Sequence, residues 1–294
     1  MTHGLVQQTV GVVGAGTMGA GIAITVARAG HRTILVDLDD ARLQDGLDRV
    51  VRFLNRSVEL GKLEPERRHG ALAGLSGATA LDALGDCDVV IEAVYEDLAL
   101  KAETFGRLSG ICRRDAVFHT NTSTLSVTAI AAGATWPERV VGTHYCNPAP
   151  LMKLVEVARA RQTGEEAYQQ TLRFLETLGK ICATVQDTPG FLVNRFLIPF
   201  ENDCIRALEA GVATAASIDR AVELGLRYPM GPFRLLDIVG LDIHRAVSLA
   251  LYEQLRDPRL APPPLVDRMI AAGELGRKTG SGFYTYDTAG MFGG

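Results

Sequence analysis

Short apolar runs alternate with longer amphipathic stretches through the first part of the chain. The apolar runs lie at residues 10–13, 33–36, 89–93, 116–120, 140–144 and 153–157. Short runs rich in valine are typical of strands that are buried on both faces. Because these strands alternate with helical stretches, the pattern predicts an α/β fold of the Rossmann type, a doubly wound parallel sheet with helices on both faces.

A charged, amphipathic stretch interrupts this alternation before the third of these predicted strands. It covers residues 39–75 and has helical periodicity without strand character. Gly61 lies inside the stretch, where a glycine favours a break between two helices. The sequence therefore predicts an inserted helical hairpin.

The chain changes character at Asp187–Gly190, where adjacent proline and glycine break both helix and strand. Beyond this point only helical periodicity remains, at residues 191–211, 216–225, 242–255 and 265–273. Pro199 should kink the first of these helices. We therefore expect two domains, a Rossmann-like domain at residues 1–187 and an all-α domain at residues 188–294.

The first predicted strand runs directly into a glycine-rich turn and then into a helix. Gly14 allows a tight bend, Gly16 lets the backbone approach a pyrophosphate, and Gly19 lets the helix pack close to the strand. The start of the helix would offer its free N–H groups to the phosphates. The cofactor contacts predicted in this turn are Gly14, Gly16, Thr17, Met18 and Gly19.

Asp37 ends the second predicted strand, close to the roughly 20 residues beyond the glycines at which a ribose-binding carboxylate is expected. A carboxylate at this position binds the ribose 2′-hydroxyl and repels a 2′-phosphate. A glycine-rich turn alone would be weak evidence for a dinucleotide site. The order of strand, turn, helix, strand and acid predicts that the cofactor is NAD.

Composition and charge exclude several classes of function. The chain has 294 residues, 22% of them charged, and a net charge of -4, so it lacks the basic surface that nucleic-acid binding requires. No apolar stretch is long enough to cross a bilayer, and because the first predicted strand begins by Val10 we expect no targeting peptide. The five cysteines form no CxxC pair, and the six histidines form no HExxH metal-binding motif. We expect a cytoplasmic protein with reduced thiols, no metal and neither a nucleic-acid nor a membrane partner.

Several separate motifs point to one protein family. Besides the glycine-rich turn they are NTS at 121–123, GTHYCNPAPLMKLVEV at 142–157, PGFLVNR at 189–195, YPMGP at 228–232, GRKTG at 276–280 and GFY at 282–284. In these motifs the chain resembles the NAD-dependent 3-hydroxyacyl-CoA dehydrogenases of the 3-hydroxybutyryl-CoA dehydrogenase type, over nearly its whole length. The resemblance implies an oxidoreductase of fatty acid metabolism that interconverts the 3-hydroxyl and 3-oxo groups of a short-chain acyl thioester.

Oxidation of a secondary alcohol needs a base for the hydroxyl proton, and histidine suits this task. His144 ends a predicted strand, at the edge where open α/β sheets bind ligands. Glu156 lies in an otherwise apolar strand, where a carboxylate needs a partner or an exposed face. Taken alone, these two could be a loop histidine and a solvated edge residue. The resemblance implies that Glu156 bonds His144, and that Ser123 and Asn194 bond the substrate oxygen.

Further cofactor contacts follow from the resemblance alone. The matching positions are Glu96, Lys101, Asn147 and Lys278. Glu96 and Lys101 could equally form an ordinary exposed pair on a helix.

The predicted hairpin departs from the family pattern. Relatives that handle CoA carry a polar residue and a lysine pair that can meet the nucleotide end, whereas this chain has Phe53, Glu59 and Leu60. Arg56 and Lys62 could compensate for the lost charges. The departure leaves open a second hypothesis, the same chemistry on an acyl-carrier-protein thioester in secondary-metabolite extender-unit biosynthesis. A third hypothesis is an NAD-binding protein without turnover, and the intact set of four catalytic candidates argues against it.

The beginning of the second predicted domain is rich in apolar side chains. They are Phe191, Leu192, Val193, Phe196, Leu197, Ile198 and Phe200. A domain of about 100 residues has limited means to cover so many by itself. Since the family it resembles associates through this domain, we expect a homodimer.

Overall fold

The computed structural model describes residues 7–286. The chain divides into two compact units, Met1–Phe191 and Leu192–Gly294. The first unit contains an eight-stranded sheet with helices on both faces, and the second consists mainly of helices. The predicted Rossmann-type fold with a helical C-terminal region is therefore confirmed.

The sheet of the first unit has the strand order β3-β2-β1-β4-β5-β6-β7-β8. Its strands are β1 Thr9–Val13, β2 Arg32–Val36, β3 Leu75–Ala78, β4 Val89–Glu92, β5 Val117–Thr120, β6 Val140–Tyr145, β7 Leu154–Arg159 and β8 Ile181–Gln186. Every strand predicted from the apolar runs is present, with ends that shift by one or two residues. The carboxyl ends of the parallel strands β1, β4, β5 and β6 therefore share one edge of the sheet.

Six helices cover the two faces of this sheet. They are α1 Thr17–Arg28, α2 Asp40–Glu59, α3 Pro65–Ala73, α4 Leu98–Ile111, α5 Val127–Ala131 and α6 Glu165–Thr177. Apolar residues of α1, α2, α3 and α6 pack into one core, and those of α4 and α5 pack into a second. The pair α2 and α3 is the predicted helical hairpin, and Gly61 follows α2 with a φ of 64°.

Two features of the sheet differ from the predicted pattern. Strand β7 runs antiparallel to β6, whereas the prediction was a parallel sheet. The connecting residues 146–153 are too few for the helical crossover of about a dozen residues that a parallel neighbour needs. Strands β3 and β8 were not predicted, because they lie at the two edges of the sheet and contain only half-buried and exposed positions.

The second unit contains five α-helices within residues 192–286. They are α7 Val193–Glu209, α8 Ala215–Gly225, α9 Pro232–Val239, α10 Leu241–Leu255 and α11 Pro264–Ala271. The short helix α9 was not predicted; it begins at Pro232, where a proline suits the first helical position. Pro199 lies inside α7, and the kink expected there stays a prediction.

Candidate active site

The turn between β1 and α1 has the geometry that a dinucleotide site requires. Gly14 has a φ of 99°, and a Cβ atom at Gly19 would lie 1.7 Å from the Gly14 carbonyl oxygen. A Cβ atom at Gly16 would have nothing within 4 Å. The fold therefore needs Gly14 and Gly19, while the backbone at Gly16 is open to a ligand. The first turn of α1, with Thr17 and Met18, presents N–H groups without intrahelical partners, so this turn fits the pyrophosphate of NAD.

Asp37 lies at the carboxyl end of β2, beside this turn. Its Oδ2 accepts a hydrogen bond from the Ala15 N–H at 2.9 Å, and its Oδ1 accepts one from the Asp39 N–H at 3.3 Å. These bonds fix the carboxylate at the end of β2, beside the glycine-rich turn. Arg49 was not singled out from the sequence, yet it donates to Thr17 Oγ1 at 3.2 Å. Because Thr17 and Arg49 are 32 residues apart in the sequence, no local pattern predicts this contact.

His144 and Glu156 are brought together by the antiparallel pairing of β6 and β7. They are register partners, and His144 Nδ1 lies 2.7 Å from Glu156 Oε2. The Glu156 side chain is fully buried, and that of His144 is 10% exposed. Because a carboxylate can only accept hydrogen bonds, the imidazole proton resides on Nδ1, which leaves Nε2 as an acceptor.

Ser123 follows β5 and faces the second nitrogen of the imidazole. Its hydroxyl lies 3.1 Å from His144 Nε2, the distance of a hydrogen bond. Phe191 packs against the ring of His144, with 5.7 Å between the ring centroids. A continuous chain of hydrogen bonds therefore runs from Ser123 through His144 to Glu156, with the base held in one orientation.

Glu96 holds the segment that carries Ser123. Its Oε1 accepts hydrogen bonds from the Thr122 hydroxyl at 2.6 Å and from the N–H groups of Ser123 and Thr124 at 2.8 and 2.9 Å. Its Oε2 lies 3.4 Å from Lys101 Nζ. Burial opposes ionisation of Glu96, but the charge of Lys101 and these hydrogen bonds outweigh it and hold the pKa of Glu96 below its ordinary value.

Lys101 is fully buried, so the alternative of an ordinary exposed helix pair is wrong. Its Nζ lies 2.6 Å from Glu92 Oε1, and the other oxygen of Glu92 accepts the Thr120 hydroxyl at 2.7 Å. Burial removes both charges from water, which costs free energy, and the attraction between the two charges offsets that cost. Glu92 was not predicted as a site residue. It is nevertheless a glutamate in an apolar strand, which is the pattern that identified Glu156.

The remaining predicted site residues are spread over both units. Asn147 is exposed in the segment that joins β6 to β7. Asn194 is half-buried in the first turn of α7, in the second unit. Lys278, also in the second unit, places its Nζ 2.5 and 2.6 Å from the two carboxylate oxygens of Asp242.

The described part of the chain was compared with the requirements of a metal site and of a membrane span. Residues 7–286 contain no group of three or more histidine, cysteine or acidic side chains that could hold a metal ion. Within the same residues, no helix has both the length and the apolar character of a membrane span. All five cysteines are free thiols.

Models of two protein domains match almost the whole chain. The NAD-binding domain of 3-hydroxyacyl-CoA dehydrogenase matches residues 9–188, and the C-terminal domain of 3-hydroxyacyl-CoA dehydrogenase matches residues 190–286.

Individual relatives are similar over most of their length. A 3-hydroxybutyryl-CoA dehydrogenase of Mycobacterium tuberculosis is 44% identical and covers 95% of this chain and 98% of its own. A mitochondrial hydroxyacyl-coenzyme A dehydrogenase of Sus scrofa is 38% identical and covers 94% of this chain and 90% of its own. The crystal structure of (S)-3-hydroxybutyryl-CoA dehydrogenase from Ralstonia eutropha superposes with a TM-score of 0.90 at 40% identity, over 96% of this chain and 100% of its own.

Proposed function

Because the chain belongs to the 3-hydroxyacyl-CoA dehydrogenase family, we propose that it interconverts the 3-hydroxyl and 3-oxo groups of a short-chain acyl-CoA with NAD. One observation carries the proposal: the hydrogen-bonded chain of Ser123, His144 and Glu156 at the carboxyl edge of the sheet. That edge is where open α/β sheets bind their ligands.

His144 is the proposed general base. In the oxidation direction its Nε2 takes the proton of the 3-hydroxyl group while the hydrogen on the same carbon leaves as hydride. NAD, when bound, accepts that hydride at its nicotinamide ring. Glu156 stabilises the imidazolium that forms on His144, because a buried carboxylate opposite a charged ring is little screened by solvent. Ser123 and Asn194 donate hydrogen bonds to the substrate oxygen and orient it toward His144.

The cofactor site includes residues from several segments. The proposed contacts are Gly14, Gly16, Thr17, Met18, Gly19, Asp37, Glu96, Asn147 and Lys278. Lys101 was also predicted to contact the cofactor, but its side chain is fully buried, so we assign it the role of holding Glu96 in place. Asp37 selects NAD over NADP, since its carboxylate repels a 2′-phosphate. The proposed domains are residues 1–187 for the cofactor and 188–294 for the substrate and for dimerisation.

The carrier-protein hypothesis is not favoured, because the similar proteins named above are CoA dehydrogenases. The test compares NADH oxidation with acetoacetyl-CoA and with the same acyl group on an acyl carrier protein. We expect the higher kcat/KM with acetoacetyl-CoA. A higher value with the carrier-bound substrate would reverse the assignment, and no turnover with either would refute the dehydrogenase function.

The proposed assembly is a homodimer formed through the second unit. Large apolar side chains of this unit are exposed, among them Phe196 at 67%, Val212 at 74% and Leu224 at 76%. Exposed apolar side chains of this size mark association surfaces where they are contiguous. The proposed location is the cytoplasm, in keeping with the free thiols.

A further inference from the structure

A second group of charged side chains lies at the carboxyl edge of the sheet, where β4 ends. Glu92 is the last residue of β4, Glu96 lies in the loop that follows, and Lys101 lies near the start of α4. The side chains of Glu92 and Lys101 are fully buried. Lys101 Nζ lies 2.6 Å from Glu92 Oε1 and 3.4 Å from Glu96 Oε2, and it donates to the carbonyl oxygen of Val94 at 3.4 Å. One ammonium group therefore binds three acceptors of the segment 92–96.

Stability alone is a weak reason for this buried ion pair. Removing two charges from water costs free energy of about the size that their attraction returns, and an apolar pair of the same volume is often at least as stable. The other contacts of the two carboxylates indicate what the arrangement supplies instead.

The two carboxylates hold the segment that carries Ser123 at both of its ends. Glu92 and Thr120 are register partners across β4 and β5, and Glu92 Oε2 accepts the Thr120 hydroxyl at 2.7 Å. Glu96 Oε1 accepts the N–H groups of Ser123 and Thr124 at 2.8 and 2.9 Å. Residues 120–124 are therefore fixed to the segment 92–96 through these two side chains.

Lys101 keeps the two carboxylates in place. Two carboxylates of one short segment repel each other when both are ionised, and a cation that binds both removes that repulsion. Within residues 7–286, the one salt bridge of Glu96 is with Lys101. Burial opposes ionisation of Glu96, and the charge of Lys101 is the first of the contacts that lower its pKa below the ordinary value. Glu96 therefore depends on Lys101 for both its position and its charge.

We propose that Glu92 and Lys101 are positioning residues for Ser123. Lys101 binds the two carboxylates, and the carboxylates hold residues 120–124. The Ser123 hydroxyl thereby stays within hydrogen-bond distance of His144 Nε2, at 3.1 Å. The inference rests on the proposed function, since it assumes that Ser123 orients the substrate oxygen toward His144.

The test replaces the buried ion pair by a neutral pair of similar size, in the double variant Glu92→Gln/Lys101→Met. Because both charges are removed together, the melting temperature should stay close to that of the wild type. Glu96 still loses its cation, and we expect kcat to fall about 10- to 100-fold, since a misplacement of about 1 Å can cost as much as 100-fold. The acid limb of kcat against pH should move to higher pH, because Glu96 without Lys101 takes up its proton at a higher pH. A purely structural role would preserve kcat along with the melting temperature.

A double-mutant cycle with Ser123→Ala tests whether the ion pair acts through Ser123. In the Ser123→Ala background, the loss in kcat caused by Glu92→Gln/Lys101→Met should shrink to about twofold or less, because changes that act through one group are not additive. The matched control Arg159→Met/Glu165→Gln removes an exposed ion pair of 2.8 Å and should leave kcat unchanged. A wild-type kcat in the folded double variant, or an undiminished loss in the Ser123→Ala background, would overturn the proposal.

A milder variant keeps the proposal testable if the double variant does not fold. Thr120→Val removes the hydroxyl that Glu92 accepts and nearly keeps the shape of the side chain. We expect kcat to fall several-fold, and an unchanged kcat would contradict the role of Glu92.

Hydrogen exchange of residues 121–125 gives a result that does not depend on turnover. Exchange in this segment should be faster in Thr120→Val and in Glu92→Gln/Lys101→Met than in the wild type, and wild-type exchange in both would overturn the inference. Absence of NADH oxidation with acetoacetyl-CoA in the wild type would refute the dehydrogenase function instead, and the exchange measurement would still report whether the ion pair holds this segment.

Discussion

His144 and Glu156 face each other directly across the antiparallel pair β6 and β7, with His144 Nδ1 2.7 Å from Glu156 Oε2. Directly opposed residues have Cβ atoms about 5 Å apart, so the register of the two strands supplies this contact. A slip of one residue would turn one of the two side chains to the other face of the sheet. The orientation of the proposed base is therefore set by backbone pairing within the sheet.

Replacing Glu156 with glutamine tests the role of its charge. We expect Glu156→Gln to lower kcat by about 10- to 100-fold, because a hydrogen bond to a charged group contributes roughly 1.5–3 kcal/mol and the amide cannot balance an imidazolium. Steady-state kinetics at saturating substrate, with NADH affinity measured separately, gives the result. Glu165→Gln, at an exposed position of α6, is the control. A wild-type kcat in Glu156→Gln would show that the charge of Glu156 plays no part in turnover.

Cofactor preference tests the role of Asp37. The neighbouring Leu38 is 66% exposed, so an arginine can be accommodated there. We expect Asp37→Ser/Leu38→Arg to reduce the preference for NADH over NADPH at least tenfold, since it removes a negative charge beside the 2′ position and adds a positive one. The ratio of kcat/KM values for the two cofactors measures this, and Leu38→Arg alone is the control. Equal use of both cofactors by the wild type would contradict the role of Asp37.

Glu96 holds the segment that carries Ser123, and the ionised form of Glu96 makes the stability of the folded protein depend on pH in the acidic range. Its pKa is lowered from 4.5 in the folded protein, so the stability that it contributes is present above that value and is lost as the pH falls through the lowered pKa. We expect the melting temperature of the wild type to fall more steeply below pH 4.5 than that of Glu96→Gln. Glu103→Gln on α4 is the exposed control.

The same residue offers a kinetic test at neutral pH. Glu96→Ala removes the acceptor of the N–H groups of Ser123 and Thr124, and kcat should fall. Glu96→Gln keeps an acceptor oxygen and should recover part of the loss. Equal activity of the two variants would show that these hydrogen bonds do not position Ser123 for turnover.

Oligomeric state tests the role assigned to the second unit. We expect the wild type to give the mass of a dimer by light scattering at micromolar concentration. Phe196→Glu/Leu224→Glu should shift this mass toward the monomer, because charges replace exposed apolar side chains of that unit. Ile181→Glu, which alters an exposed position of the first unit, should leave the mass unchanged. A monomeric wild type would refute the proposal.

Local patterns were sufficient to predict much of the fold. The buried strands, the hairpin and the glycine-rich turn depend on periodicity and on backbone conformation within a few residues, and the family predicted from the motifs is confirmed. The edge strands β3 and β8 were missed because partly exposed strands leave no continuous apolar run. The antiparallel β7 could have been inferred from the short connection that precedes it.

Contacts between distant segments were harder to anticipate. The motifs implied the contact between Glu156 and His144 by resemblance, and the structure brings the two together. Glu92 is a glutamate in an apolar strand, which signals a buried partner, but no local pattern identifies Lys101 on α4 as that partner.

The rate of NADH oxidation with acetoacetyl-CoA, compared between the wild type and His144→Ala, tests the central claim most directly. A positioned general base contributes about 10²–10⁴-fold to the rate. With both substrates saturating, we expect turnover by the wild type and a loss of that size in His144→Ala, with NADH affinity unchanged. Near-normal turnover in His144→Ala would contradict the assignment of His144 as the base.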